Sequence, residues 1–147
     1  MKPGTFVAIP LPNGRFGVGR VLKDPLMAFY SIELDHFPLE SEISSTDLIV
    51  AFAVWVHRSA IGKRGWQKIG FREISGNEPD PFFFRQDAIS RKLYLHRNGQ
   101  ERLATFDEVE LLEVAAVYDH HHVEDRLDAF LLKRPKPQWV RSPQRIQ

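Results

Sequence analysis

The chain has 147 residues, no cysteine and a formal net charge of +1. That length suits one domain able to bury roughly 68–70% of its unfolded surface, and the lack of thiols excludes disulfide frameworks, thiol catalysis and thiolate metal sites. The longest apolar run, Leu48–Val56, has nine residues, well short of the about 20 a membrane helix needs; with no leader pattern at the start, the expectation is a soluble, cytoplasmic protein.

Taken in chain order, residues 5–9 and 15–22 predict two strands around Asn13-Gly14, a dipeptide that tolerates positive φ. The second strand lacks side chains at Gly17 and Gly19, so it can bend or admit a close neighbour. Residues 27–34 alternate through Tyr30, Ile32 and Leu34, and 38–46 are polar and acidic, hence a loop. Leu48–Val56 predicts a central strand covered on both faces. A basic glycine turn at 58–65 leads into an extended 66–74, and a strand resumes at 82–86. Asn98-Gly99 joins 92–97 to 100–105 in the clearest hairpin.

Residues 111–118 alternate like a strand, although Thr105-Phe-Asp-Glu108 has the form of a capping box for a short helix. Asp119 caps a predicted helix over 120–132 with an apolar stripe of Val123, Leu127, Phe130 and Leu131. These elements predict a mainly β (α+β) fold: a strongly bent antiparallel sheet or small open barrel with one C-terminal helix. Residues 1–132 form its single domain, and 133–147, with three prolines and five basic residues, a tail.

Charge is segregated. Residues 33–47 hold five acids and no Lys or Arg, and 107–128 hold eight acids against Arg126. Residues 58–72 hold five bases and no acid. Segregation of this kind can present surfaces of opposite sign, the alternative being exposed loops and helix faces that are simply solvated.

No catalytic constellation emerges. Gly14, Gly17 and Gly19 enter a strand and not a helix, so the phosphate-loop context fails. Trp55 belongs in the core, Trp66 is half-buried with its N–H partnered, and Trp139 lies in the tail. His120, His121 and His122 are adjacent, and on a helix they point about 100° apart, which denies them one shared ion; one could join His36, His57 or His96. No spacing selects an acid pair such as Glu110 with Asp119, so neither an enzyme, a metal nor a cofactor is expected. Arg58, Lys63, Arg64, Lys68, Arg85, Arg91, Lys92 and Arg97, interleaved with Trp66, Phe71, Phe83 and Tyr94, offer an alternative: a small barrel binding nucleic acid by stacking and charge.

The segment 6–22, the Gly65–Gly70 stretch followed by Pro81-Phe82, and Leu112–Tyr118 leading into His122–Leu127 together resemble the immunity protein 26 family of bacterial polymorphic toxin systems. They occur in the expected order across most of residues 3–132. The resemblance implies a mainly β protein with glycine and tryptophan signature positions, matched by Gly14, Gly19 and Trp66, with Gly17 the other glycine of the bending strand. It implies a non-catalytic role: binding a cognate toxin domain, often a nuclease, and blocking it. A nuclease presents a basic surface, so the acidic segments become the candidate face. Glu33, Asp35, Glu40, Glu42 and Asp47 come first, and Glu124, Asp125 and Asp128 second.

Overall fold

The computed structural model describes residues 1–44 and 47–146, which form two compact units: residues 1–79 with 117–137, and residues 80–116 with the segment from Gln138 onward. The fold is mostly β. Each unit carries one open, mixed sheet, and neither sheet closes into a barrel.

In the first unit β1 (Thr5–Pro10), β2 (Phe16–Lys23), β3 (Leu26–Tyr30) and β4 (Val50–Val56) form an antiparallel run. Asn13 (φ 64°) and Gly14 (φ 71°) make the first turn, both in the left-handed region that Asn and Gly enter at least cost. The predicted loop at 38–46 contains a short helix, α1 (Glu40–Ser44), whose Ile43 is buried; Ser45 and Thr46 lie outside the described residues. β5 (Gln67–Phe71) adds to β1 at one edge. At the other edge β10 (Val117–Tyr118) pairs parallel with β4.

One face of this sheet is closed by α3 (His120–Leu131). Its buried stripe is Val123, Arg126 and Leu127; Phe130, expected in the stripe, is 44% exposed. Arg126 replaces it as the covering group, its guanidinium 4.3 Å above the Phe52 ring, where the long stem shields apolar surface.

The two strand glycines mark where this layer is thinnest. A Cβ at Gly17 would lie 2.6 Å from Leu127 Cδ2, and one at Gly19 2.8 Å from the Phe29 ring. Phe29 in turn meets the edge of Trp66 at 5.6 Å between centroids. The glycines therefore admit a helix leucine and an aromatic ring into the sheet's own volume. Gly17→Val is expected to cost about 1–3 kcal/mol as an overpacked core, measurable as a lower urea midpoint with unchanged slope.

The second unit holds β6 (Phe83–Gln86), β7 (Leu93–Arg97), β8 (Gln100–Ala104) and β9 (Glu113–Val114), in the order β8-β7-β6-β9. The 97–100 hairpin is as predicted, with Asn98 at φ 53° and Gly99 at φ 76°. The capping box also forms. Glu108 accepts the Thr105 N–H at 3.0 Å at the start of α2 (Phe106–Val109). Residues 111–118 are thus not one strand: β9 pairs with β6 in this unit, and β10 with β4 in the first. The segment from Gln138 returns to this unit, where Gln144 and Gln86 exchange hydrogen bonds at 2.9 and 3.0 Å.

Candidate functional site

Antiparallel hydrogen bonds between Phe16 and Leu34, at 2.8 and 2.9 Å, bring the chain after β3 back along the start of β2. This places Arg15 beside Glu33, one residue before each partner. Arg15 binds the Glu33 carboxylate at 3.0 Å and also that of Asp128 on α3. The Asp128 hydrogen bond, reinforced by Glu33, raises the guanidinium above its ordinary pKa. One cation thus joins a residue of the first acidic segment to one of the second, a contact spanning 113 positions.

Farther along, His36 sits between Asp35 (2.8 Å) and Glu42 (2.7 Å). The Asp35 and then the Glu42 hydrogen bonds raise its pKa. Glu42 also accepts the Leu39 N–H at 2.9 Å, which with His36 lowers its own. This clasp fixes the turn into α1 and leaves Phe37 41% and Leu39 59% exposed, with Phe37 edge-on to Phe16 at 5.5 Å. Glu40 lays its Cγ and carboxylate over Gly70, where a Cβ would come within 2.7 Å, while Asp47 is exposed.

On α3, Glu124 is drawn inward. It accepts Trp66 Nε1–H at 3.0 Å and lies 2.9 Å from His120 Nδ1. Trp66, expected to be half-buried, is only 1% exposed, so its N–H requires that carboxylate. Asp125 remains exposed. The eight acids are therefore not one uniform patch. Glu33, Asp35, Glu42, Glu124 and Asp128 have intramolecular partners, and Glu40, Asp47 and Asp125 are exposed. Arg15 and the inward role of Glu124 escaped sequence reasoning, because each depends on a partner far along the chain.

The basic residues divide. Arg58, Lys63, Arg64 and Lys68 belong to the first unit and Arg85, Arg91, Lys92 and Arg97 to the second. Arg85 is committed to Glu101 at 2.9 Å, and Arg97 lies 4.0 Å over Phe82. Trp66 and Phe83, proposed stacking platforms, are 1% and 3% exposed and closed to bases.

Among the histidines, His36, His96 and His120 face acids, and His57 Nδ1 lies 2.7 Å from Ser59 Oγ. Contrary to the helical-projection expectation, two adjacent imidazoles do approach one another: the ligand atoms of Asp119, His121 and His122 lie within 4.8 Å.

A family model described as Immunity protein 26 matches residues 2–95. No curated protein and no solved structure matches the chain.

Proposed function

The chain belongs to the immunity protein 26 family, and on that premise we propose that it binds and neutralises a cognate bacterial toxin domain, a nuclease with a basic active-site surface. The family membership carries this reading. The acidic surface supports it: carboxylates held by Arg15 and His36 on a hydrogen-bonded frame are already ordered before a partner arrives, which lowers the entropic cost of association. Glu33, Asp35, Glu40, Glu42 and Asp47 form the leading face, with Glu124, Asp125 and Asp128 behind it. Inhibition follows from occupying the toxin's basic cleft, with no catalytic step.

The test is co-purification with a candidate toxin domain, followed by association kinetics. Reversing two exposed charges, Asp35→Lys with Asp47→Lys, is expected to slow association about tenfold at low salt, with the deficit shrinking as salt screens it. Unchanged kinetics would remove the acidic face. Failure to bind any such domain, together with micromolar oligonucleotide binding that falls steeply with salt, would replace the reading with nucleic-acid recognition.

A further inference from the structure

We propose that Asp119, His121 and His122, at the junction of β10 and α3, form a binding site for a late first-row divalent cation of the Zn²⁺ class. Their ligand atoms lie within 4.8 Å of one another, and Asp119 and His121 are exposed with His122 half-buried. The two imidazole rings are 5.0 Å apart and inclined by 49°. They approach more closely than the 100° helical projection alone would suggest.

Two further observations favour the site. Asp119 occupies the N-cap with extended backbone (φ −79°, ψ 162°), yet its side chain makes no capping hydrogen bond, so its carboxylate is not spent on helix amides. His120, the third imidazole of the run, lies edge-on to His121 at 4.8 Å between centroids, but its Nδ1 is engaged by Glu124 at 2.9 Å.

The donor set selects the metal. Two imidazoles and one carboxylate, with solvent in the fourth position, is a familiar open Zn²⁺ arrangement, whereas Mg²⁺ and Ca²⁺ prefer all-oxygen shells. Bond lengths near 2.0–2.1 Å place tetrahedral ligands about 3.4 Å apart, so side-chain movements of about 1 Å close the site. The positive end of the helix opposes a cation. The Asp119 charge offsets that repulsion, and Asp125, one turn along from His121, adds to it. A bound ion would tie the N-cap of α3 to its first turn.

The experiment uses the untagged full-length chain, stripped with chelator and titrated with Zn²⁺ by calorimetry and thermal melting. One Zn²⁺ per chain is expected, with a Tm rise of about 3–6 °C at tenfold excess over its dissociation constant, and no response to Mg²⁺. His121→Ala and His122→Ala should each weaken binding at least tenfold, while His120→Ala leaves it unchanged. Should either alanine variant fold poorly, the near-isosteric Asp119→Asn must show the same loss. Absence of a Zn²⁺ response, equal loss in His120→Ala, or one ion shared between two chains would overturn the site.

Discussion

Trp66→Ala is expected to destabilise the first unit by about 3–5 kcal/mol. Trp66 is among the largest fully buried side chains, its ring meets Phe29 edge-on, and its N–H is donated to Glu124 at 3.0 Å. Phe29 itself fills the space vacated at Gly19, so the cavity would open in the middle of the sheet–helix layer. Trp66→Phe separates the two contributions. It keeps most of the packing and removes the donor, so about 1.5–3 kcal/mol should be lost with the charge-assisted hydrogen bond, Glu124 keeping His120 as its partner. Chemical denaturation followed by far-ultraviolet circular dichroism reads both. A Trp66→Ala protein as stable as wild type would show that this stack does not organise the layer.

Arg20→Met is expected to cost about 3 kcal/mol, the low end for breaking a buried ion pair, because the half-buried Glu78 keeps the Ser75 and Gly76 N–H donors. Arg20 is 3% exposed and lies 5.0 Å over Phe6. It donates to Glu78 at 3.0 Å, to the Glu73 carbonyl at 3.1 Å and to the Arg72 carbonyl. Adding Glu78→Gln should recover part of the loss, since the stranded charge is then gone. The same pair makes stability depend on pH. Burial alone would raise the Glu78 pKa, but hydrogen bonds from the 75–78 backbone and Arg20 outweigh it and hold the group at about 2, against an ordinary 4.5. A carboxyl depressed in the folded state stabilises fully above its unfolded pKa and loses that contribution as pH falls through the folded one. Wild type should therefore lose stability between pH 4.5 and pH 2 by an increment that Glu78→Gln lacks; parallel acid-denaturation curves would refute it.

Elements set by local chemistry were readable in the sequence. Both Asn-Gly turns form with positive φ, at Asn13-Gly14 and Asn98-Gly99, because the dipeptide itself dictates the conformation. Gly17 and Gly19 announced a close approach, and Leu127 and Phe29 supply it. What the sequence hid was set at long range. The alternation of Leu112, Val114, Ala116 and Tyr118 runs unbroken, yet short parallel pairings divide it between two sheets. The five residues of α1 carry the polar composition of a loop, and only Ile43 is buried. At the candidate face the acidic composition was plain. Its partition into tethered and exposed acids depended on Arg15 and Trp66, whose partners lie 113 and 58 residues away.

The first unit is interrupted in sequence: everything between Pro79 and Val117 belongs to the other. During synthesis the strands through Val56 therefore leave the ribosome well before α3, which ends at Leu131. At about 5–20 residues per second, that interval is about 4–15 s. Throughout it the surface containing Val7, Ile9, Met27 and Phe29, all fully buried in the finished molecule, has no helix to cover it. Nascent chains of this protein should accordingly engage hydrophobic-binding chaperones until the helix emerges, and shed them once Leu127 can seat against Gly17.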